Sequence, residues 1–389
     1  MTIVANAKPA PEIAARPVER RSVLFLVPDL EVAGPELRLL DFAKLFPSSI
    51  DVHVCALTDG GALLEDMRGA GARVQLVPIE RAYAEWGQVR KIVDHVGRER
   101  IPIVNSLDFK TLLVAAAVKL RYGRRVTTVH HFVSLLDNWE RRHKIMLKRL
   151  LRYVDVVVCN SNVVAEETLA STVDPGRIRV IKNGVDVQHY SRSIGPRATD
   201  RGAMGFDHKH FVVGTIANIR PVKNYPFLIQ GFRRVHELFP ASRLLCVGDG
   251  ESRGEIEAMV RESGLAGTVH FCGSVRDVRP YLGTMDAFVL CSLKEGFPNV
   301  VLQAMAMEVP TISSAVGETT RIVDPDESGM LFDGGDLDGF VAAVTRLAGD
   351  PRLRARLARN GRRLVEEKYS MQRMIRDYVD LYAGLGSRR

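Results

Sequence analysis

Short apolar segments alternate with segments of helical periodicity along most of the chain. The segment SVLFLVPDL at 22–30 is a predicted strand, and PELRLLDFAKLF, which follows it, has helical spacing. The alternation continues through the first half of the chain, except that the strand ARVQLVPI at 72–79 is followed by another strand, IPIVNSL at 101–107, with no helix predicted between them. It resumes with the predicted strand FVVGTIANI at 211–219. Strands that alternate with helices are typical of parallel sheets covered on both faces. The pattern therefore predicts an α/β fold with two doubly wound, Rossmann-like domains.

Residues 191–210 interrupt this pattern, because Gly, Pro, Ser and charged residues replace the periodic apolar positions. We expect the domain linker there. A length of 389 residues suits two domains of similar size. The sequence predicts a disordered tail at 1–20, an N-terminal domain at 21–200 and a C-terminal domain at 201–369, with the two domains facing a central cleft.

The composition is that of an ordinary globular protein, with 46% hydrophobic and 26% charged residues. No apolar run is long enough to cross a membrane. The five cysteines form no Cys-x-x-Cys pair, and each lies in or beside an apolar segment. We interpret them as small buried residues of a protein in the reducing cytoplasm, and we expect neither a disulfide nor a metal role for them.

The formal net charge of +8 favours an anionic partner, such as nucleic acid, a phosphorylated substrate or an acidic membrane surface. Charge alone does not choose among them. The chain shows no basic strand with interleaved aromatic residues and no nucleic-acid recognition motif, so no nucleic-acid partner is expected.

The loop EGFPN at 295–299 joins an apolar strand to a helix, and its residues suggest an anion site. Asn299 is a predicted N-cap, and the start of this helix offers unpaired amides and the positive end of a dipole. A diphosphate fits such a place, and Gly296 would let the backbone approach it closely. Glu295 would accept hydrogen bonds from sugar hydroxyls. Gln303, four residues past Asn299 on the same helix face, could reach the same ligand. An ordinary turn with a surface glutamate is the alternative.

A second loop, RPVK at 220–223, also follows a predicted strand. Arg220 and Lys223 flank a proline that stiffens the turn, and two cations on a rigid loop suit a leaving phosphate. Gly248, in GDG after the next strand, would allow close backbone approach. A solvated turn is the alternative interpretation of the cationic pair.

Two Asp-x-Asp triplets, at 324–326 and 336–338, have the form of a metal-binding motif. Both lie in turn-rich sequence, where aspartate more often caps a helix or closes a turn. We therefore expect no metal and no cofactor.

In the first half of the chain, Gly34 lies in the first strand-to-helix loop, which does not match the dinucleotide-binding glycine pattern. His130 and His131 end a predicted strand, where alternation points them to opposite sides. One of the two could face the cleft, although a single histidine is more often structural.

The order of these features resembles the family-4 glycosyltransferases of the GT-B fold. A glycine-containing first loop, His130, NGVD at 183–186, RPVK, GDG and EGFPNVVLQAMA follow one another over about residues 22–385. The resemblance implies a retaining, metal-independent enzyme that moves a sugar from a nucleotide-diphosphate sugar, by default a UDP-sugar, to an acceptor hydroxyl. It also implies that the second half binds the donor and the first half the acceptor, and that a last helix at 370–389 crosses back to the first domain.

By position, the resemblance implies that Lys223 holds the diphosphate together with Arg220 or Asn218. Glu295 would hold hydroxyls of the donor sugar, and His130 would lie at the reacting centre. The leaving diphosphate could accept the proton of the acceptor hydroxyl, so no protein nucleophile is needed. The further residues assigned to donor binding are Gly34, Gly248, Val275 near the base, Gly296, Phe297, Asn299, Val300 and Gln303.

The chain departs from the family pattern at several positions. Gln303 replaces the usual second glutamate, so its carbonyl oxygen can still accept from a ribose hydroxyl, but without a charge. Residues 217–218 are Ala-Asn in place of Gly-Arg, 33–34 are Ala-Gly in place of Gly-Gly, and Arg321 aligns with a common glutamate. A non-catalytic homologue, or a sugar-nucleotide epimerase of similar fold, is the alternative function.

The segment WERRHKIMLKRLLRYVD at 139–155 combines many cations with leucines at helical spacing. A basic amphipathic helix can lie on an anionic membrane, whereas a helix packed on the sheet with a solvated basic face is the alternative. The membrane interpretation implies a lipid-linked acceptor, and a glycan acceptor is the other expectation. The expected location is the cytoplasm, at the inner face of the plasma membrane if the segment binds lipid.

Overall fold

The structure, a computed structural model, describes residues 20–81, 84–132, 141–169, 173–192 and 201–385. The predicted tail, apart from Arg20, lies outside the described residues, and so do part of the predicted linker, the start of the basic segment and the last four positions of the chain.

The first sheet has seven strands in the order β3-β2-β1-β4-β5-β6-β7. These strands are β1 Arg21–Val27, β2 Ile50–Ala56, β3 Arg73–Leu76, β4 Ile103–Ser106, β5 Thr127–Phe132, β6 Val156–Cys159 and β7 Ile178–Val180. The pairs β1–β2, β1–β4, β2–β3 and β6–β7 are parallel. The helices of this part of the chain are α1 Gly34–Leu45, α2 Leu64–Gly69, α3 Trp86–Arg98, α4 Phe109–Tyr122 and α5 Arg141–Leu150.

The second sheet has six strands in the order β10-β9-β8-β11-β12-β13, and all neighbouring pairs are parallel. The strands are β8 Phe211–Ile216, β9 Ser242–Val247, β10 Val269–Phe271, β11 Ala287–Leu290, β12 Thr311–Ser314 and β13 Met330–Phe332. The helices are α6 Tyr225–Leu238, α7 Arg253–Glu262, α8 Arg279–Leu282, α9 Asn299–Ala306, α10 Thr319–Ile322, α11 Leu337–Gly349, α12 Pro351–Lys368 and α13 Met371–Leu385.

The chain divides by Cα proximity into two compact units. The first unit is Met1–Val129 with Val379–Arg389, and the second is His130–Tyr378. The end of α13 thus belongs to the first unit and its beginning to the second. The domain boundaries expected from the sequence remain a prediction.

The strands of the second sheet bury side chains on both faces. Val213 and Val289 lie in one apolar cluster, which includes residues of α6 and α11. Their neighbours Val212 and Phe288 lie in another cluster, with residues of α9 and α12. Successive strand residues therefore face opposite helical layers, as the period of two requires. The predicted doubly wound parallel architecture is confirmed.

Helix α3 was not predicted from the sequence, although its signal is present. The chain was interpreted there as strand followed by strand, whereas Trp86–Arg98 is helical. Its buried residues are Val89, Ile92, Val93 and Val96, at the spacing of one helix face. They pack with Leu24 and Val104 in a cluster of the first unit.

The end of α13 is fixed within the first unit by Tyr382, which is completely buried. The Tyr382 hydroxyl donates to Asn105 Oδ1 at 3.0 Å, and its ring lies edge-on to Phe25 at 6.4 Å. Arg21 donates to the carbonyl oxygens of Tyr382 at 2.6 Å and of Ala383 at 2.9 Å. Among the described residues, no helix is both long and apolar enough to cross a membrane.

All five cysteines are free thiols, and Cys272 is half-exposed. The prediction that all of them are buried is therefore wrong for Cys272, because it follows β10, which is short, half-exposed and at the edge of its sheet. Burial raises the pKa of Cys272 to about 11 and the pKa of Cys55 and Cys159 to about 12.

We expect iodoacetamide to alkylate Cys272 before any other cysteine of the folded protein. The thiolate is the reactive form, so a lower pKa and greater exposure both favour Cys272. The Cys272 thiol is mostly protonated below its pKa. In that range, each increase of one pH unit should raise the labelling rate by about tenfold. Peptide mass spectrometry after timed labelling measures the order, with the urea-unfolded chain as the control in which all thiols react alike. Earlier labelling of any other cysteine in the folded protein would contradict this assignment.

Candidate active site

The strand order of the second sheet reverses between β8 and β11, which are hydrogen-bonded neighbours. In open α/β sheets, ligands bind outside the carboxyl ends of the strands at such a switch point. The loops that follow these two strands carry Lys223 and Glu295. They are joined by a backbone hydrogen bond from Leu293 N–H to the Val222 carbonyl at 2.8 Å. This switch point is therefore the candidate active site.

Lys223 and Glu295 form an ion pair in which Lys223 Nζ lies 2.6 Å from Glu295 Oε1. Ser292 Oγ donates to the same oxygen at 2.6 Å. Glu295 is buried and Lys223 is half-buried. Within the described part of the chain, Glu295 Oε2 accepts no hydrogen bond. That oxygen can therefore accept a hydrogen bond from a ligand while the ion pair remains.

The loop after β8 presents its cations from a short turn. Pro221–Lys223 form one turn of 3₁₀ helix, and Asn224 follows in the left-handed conformation with φ of 53° before α6 begins. Arg220 and Asn218 are exposed. The turn thus holds Lys223 beside Glu295 and leaves Arg220 and Asn218 accessible.

Gly248 and Gly250 let the loop after β9 lie against the loop after β8. A Cβ at Gly248 would be 2.2 Å from the Ala217 carbonyl oxygen, and one at Gly250 would be 2.4 Å from that of Ile219. The φ of +132° at Gly248 also favours glycine. The structure gives Gly248 a packing reason to be glycine, and a donor contact there stays a prediction.

Helix α9 begins at the end of the Glu295 loop, but Asn299 does not cap it. The N-cap is Pro298, so the N-cap prediction for Asn299 is wrong. Proline fixes φ and occupies the flanking position, and Asn299 is already the first helical residue. The Asn299 side chain instead accepts a hydrogen bond from Asn183 Nδ2 at 2.8 Å.

The start of α9 has donors available to a ligand. Among the residues that the structure describes, the N–H groups of Gly296 and Phe297 donate to no other group. Phe297 itself is buried, with its ring 6.3 Å from that of Tyr369. Val300 and Gln303 are half-buried along the same helix. The amides and the positive dipole end suit an anion beside Lys223.

A third loop, which the sequence did not predict, packs against the Glu295 backbone. It follows β12, and a Cβ at Gly317 would lie only 1.8 Å from the Glu295 carbonyl oxygen. Gly317 has φ of +55°, in the left-handed region. Ser314 Oγ donates to the Ser292 carbonyl at 2.7 Å. The loop after β12 therefore fixes the backbone that carries Glu295.

Glu318, next to Gly317, is completely buried. Its Oε2 accepts from the N–H groups of Asn162 at 3.1 Å and Val163 at 3.3 Å, and its Oε1 accepts from Asn162 Nδ2 at 3.0 Å. Lys182 Nζ lies 3.7 Å from Oε1, and Arg321 lies 3.6 Å from Oε2. This carboxylate therefore anchors the third loop to the start of a helical segment, where negative charge is favoured.

The remaining predicted site residues lie on other elements of the chain. His130 is buried, with its ring edge-on to Phe132 at 4.6 Å, and Val275 is half-buried beside the apolar cluster of α9. Gly34 begins α1, and a Cβ there would meet nothing within 4 Å. Gly34 thus has no steric need to be glycine, and a donor contact there stays a prediction.

The two Asp-x-Asp triplets have structural roles. Asp336 Oδ1 accepts from Gly339 N–H at 2.9 Å as the N-cap of α11, and Asp338 pairs with Arg234 at 2.6 Å. Asp326 pairs with Arg346 at 2.8 Å. The described residues contain no group of three or more His, Cys, Asp or Glu side chains arranged to hold a metal ion.

Two family models match adjoining parts of the chain. The model described as Glycosyltransferase Family 4 matches residues 32–189, and the model described as Glycosyl transferases group 1 matches residues 210–350. The chain belongs to the family-4 glycosyltransferases. The resemblance inferred from the sequence motifs is thereby confirmed, and so is the class of enzyme.

Known proteins similar to this glycosyltransferase agree with that assignment. The lipopolysaccharide core biosynthesis glycosyltransferase LpsE of Rhizobium meliloti is 29% identical over 60% of this chain and 65% of its own length. The UDP-Gal:alpha-D-GlcNAc-diphosphoundecaprenol alpha-1,3-galactosyltransferase of Escherichia coli is 26% identical over 73% of this chain and 76% of its own. HepE of Anabaena, solved in complex with UDP, has a TM-score of 0.81 at 20% identity, covering 93% of this chain and 100% of HepE. The GT-B fold is thereby confirmed.

The position where the family commonly has a glutamate is occupied here by Arg321. Its guanidinium pairs with Glu166 at 2.8 Å and lies 3.6 Å from Glu318. The buried acid of this glycosyltransferase thus comes three residues earlier in the chain. The family pattern indicates position 321 and not Glu318, because the loop that contacts Glu318 is 156 residues away in the sequence at Asn162.

We expect Glu318→Gln to lower the free energy of unfolding by about 1–3 kcal/mol. The neutral amide would leave the buried N–H donors and Lys182 without the carboxylate that they contact. The third loop should shift with it and weaken the binding of a UDP-sugar through Glu295. Urea unfolding and nucleotide titration measure the two effects. Glu327→Gln, which changes an exposed acid 3.9 Å from Arg356, is the matched control and should be near neutral. Equal stability of the two variants would show that Glu318 does not anchor the loop.

Proposed function

We propose that this protein is a retaining, metal-independent glycosyltransferase that moves a sugar from a UDP-sugar to an acceptor hydroxyl in the synthesis of a polysaccharide or cell-envelope glycan. The observation that carries the proposal is the Lys223–Glu295 ion pair at the switch point of the second sheet, beside the start of α9. A cation that can bind the diphosphate and a carboxylate that can accept hydrogen bonds from sugar hydroxyls lie together there. A sugar diphosphate requires both.

In the proposed donor complex, the diphosphate lies against Lys223 and the unpaired amides of Gly296 and Phe297. Arg220 and Asn218, both exposed, are close along the chain and would complete the phosphate contacts. Glu295 would accept hydroxyls of the sugar through Oε2. The UDP and UDP-glucose complexes of HepE support a uridine donor by analogy of fold.

The nucleoside end of the donor would extend along α9. Gln303, half-buried one turn along α9, would accept from a ribose hydroxyl through its carbonyl oxygen. Val275 would contact the base. His130 is assigned to the reacting centre by its place in the family motif order.

The proposed reaction breaks the bond between the anomeric carbon and the diphosphate oxygen and forms a bond to the acceptor oxygen on the same face. The acceptor proton passes to the leaving phosphate oxygen. Lys223 and Arg220 stabilise the negative charge that develops there, in a site partly closed to water. No side chain acts as nucleophile, so positioning and charge stabilisation supply the catalysis.

The acceptor is proposed to be a glycan or a lipid-linked glycan, which the diphosphoundecaprenol acceptor in the name of the Escherichia coli relative supports. Helix α5 buries Leu147 and exposes Lys144, Ile145, Met146 and Lys148. It therefore packs on the protein and also presents a basic face with apolar side chains. We propose that this face contacts an anionic membrane at its cytoplasmic side. Salt-sensitive co-sedimentation with anionic liposomes, lost in Lys144→Gln/Lys148→Gln, is the expected result.

Analysis of the reaction products tests the proposed chemistry. The protein is incubated with EDTA, a panel of UDP-sugars and lipid-linked acceptors, and the new linkage is examined by NMR. An axial linkage from an axial donor supports retention, and an equatorial one contradicts it. Conversion of the donor sugar without acceptor would indicate the epimerase, and donor binding with no conversion across the panel would indicate the non-catalytic homologue.

A further inference from the structure

A cavity of about 700 Å³ lies in the first unit, between the ends of α3 and α4. Its apolar wall includes Val96, Ile101 and Val126, and its rim carries Arg100, Arg124 and Arg125. Ile101 precedes β4 and Val126 precedes β5, so the cavity is at the amino edge of the strands. Ligands of α/β sheets bind at the opposite, carboxyl edge. The cavity is therefore at the edge of its sheet opposite to the one where ligands of such sheets bind.

The three arginines of the rim have no neutralising partner in the part of the chain that the structure describes. All three are exposed, and within the described ranges of the chain no carboxylate lies at ion-pair distance from them. Cations at helix C-termini are often explained by the helix dipole. Here the last turns already contain cations, His95 and Arg98 in α3 and Lys119 and Arg121 in α4. The dipoles do not account for three further charges around one cavity.

The backbone at Arg100 is in a conformation that favours glycine. Arg100 has φ of 52° and follows the C-cap of α3. The Ile101 N–H donates to the Val96 carbonyl at 3.0 Å and the Arg100 N–H to that of Gly97 at 3.3 Å, which is the Schellman pattern. Glycine is the usual residue at this position because any side chain is strained there. Strain of this kind concentrates at functional sites.

The wall of the cavity is held in place by Tyr122. Its hydroxyl donates to the Val93 carbonyl at 3.0 Å, and the Arg121 guanidinium lies 5.4 Å from its ring centre. A Cβ at Gly97 would be 2.2 Å from the Tyr122 hydroxyl oxygen. Glycine at position 97 therefore allows the ring to close one side of the cavity.

We propose that this cavity binds a phosphate-bearing amphiphile. Guanidinium groups bind phosphate oxygens in pairs, so Arg100, Arg124 and Arg125 would hold the anionic group. The apolar part would lie on Pro102 and the ring of Tyr122, which line the cavity and are half-buried. The volume is within the range of ligand pockets and exceeds that of one phosphate. The same chemistry is offered by the headgroup of an anionic lipid in a bilayer and by a soluble phosphate ester.

Two binding measurements with the full chain test the proposal and distinguish the two sources. The soluble probe is monomeric dioctanoyl phosphatidate, titrated by calorimetry, and the bilayer probe is phosphatidylcholine vesicles with and without phosphatidate, at one ionic strength. The test variant is Arg100→Gln/Arg124→Gln/Arg125→Gln. The matched control removes the same charge from three exposed arginines of α12 and α13, as Arg352→Gln/Arg359→Gln/Arg376→Gln.

We expect the test variant to bind the probe at least about tenfold more weakly than the unaltered protein, since three charge-assisted contacts are lost. The control should change binding by less than about twofold. Binding of the soluble probe identifies a phosphate ester site. Vesicles are tested in the Lys144→Gln/Lys148→Gln background, which removes the contribution proposed for α5, and phosphatidate-dependent binding that remains there and is lost with the test substitutions identifies a headgroup site. Absence of binding to both probes, or equal weakening in the two variants, overturns the proposal.

Arg100→Gly separates ligand binding from a structural role. Glycine relieves the backbone strain, so the Tm should rise by roughly 1–3 °C. The same variant should bind the probe more weakly, because one guanidinium is lost. A purely structural Arg100 would give no loss of binding. Full binding by Arg100→Gly, or a fall in Tm, contradicts the assignment.

Discussion

Lys223→Ala is expected to lower the turnover of sugar transfer by about 10²–10³-fold, the usual effect of removing one preorganised group that stabilises developing charge. The Lys223 ammonium lies beside the carboxylate proposed to hold the donor sugar, at the switch point of the sheet. The leaving diphosphate would lose its most buried cation. Initial rates of nucleotide release with saturating donor measure the effect on kcat.

Lys209→Ala is the matched control for this substitution. Lys209 is exposed in the segment before β8, and its backbone N–H rather than its ammonium bonds Asp207. Its turnover should stay within about twofold of the unaltered protein, because a distant exposed charge is screened by salt. An unaltered kcat in Lys223→Ala, with thermal unfolding showing a folded protein, would contradict the assignment of Lys223.

Gly317→Ala should have the second large effect, because it alters the loop that supports Glu295. The added methyl would lie 1.8 Å from the Glu295 carbonyl oxygen, and φ of +55° is unfavourable for alanine. One of the two loops has to move, and we expect a loss of about 2–4 kcal/mol in the free energy of unfolding. Donor affinity should fall in parallel. Urea unfolding and donor titration measure both quantities.

Gly334→Ala provides the comparison within the same region of the sheet. A Cβ there would meet only Val316 Cγ1, at 3.7 Å, which is ordinary van der Waals contact. We expect its stability to change by less than about 0.5 kcal/mol. Similar stability and donor affinity in the two alanine variants would mean that the loop after β12 does not determine the position of Glu295.

Local sequence predicted the architecture and two of the three loops of the site. The alternation of apolar and amphipathic segments is sufficient for parallel sheets, and loops after strands indicate where ligands bind. Lys223 and Glu295 were predicted at one site, but as separate ligand contacts. Their mutual ion pair joins residues 72 positions apart, and no local pattern encodes that distance.

The errors have physical explanations of the same kind. Asn299 was assigned as an N-cap by residue type, whereas the adjacent Pro298 takes the flanking position. Cys272 was expected to be buried like the other cysteines, but it follows a short edge strand. Glu318 belongs to no motif, and its importance is evident only when the loops after β6 and β12 are seen together.

Calorimetric titration of UDP and UDP-sugars in EDTA measures most directly whether Glu295 binds the sugar of a nucleotide donor. The unaltered protein is compared with Glu295→Gln, using UDP-glucose, UDP-galactose and UDP-N-acetylglucosamine. We expect UDP to bind both proteins with similar Kd, because Lys223 remains available to the diphosphate. The additional affinity for the preferred UDP-sugar should be lost in Glu295→Gln, by about tenfold or more for a charge-assisted hydrogen bond. An unchanged ratio of the UDP and UDP-sugar Kd values, or no binding of any nucleotide to the unaltered protein, would contradict the account.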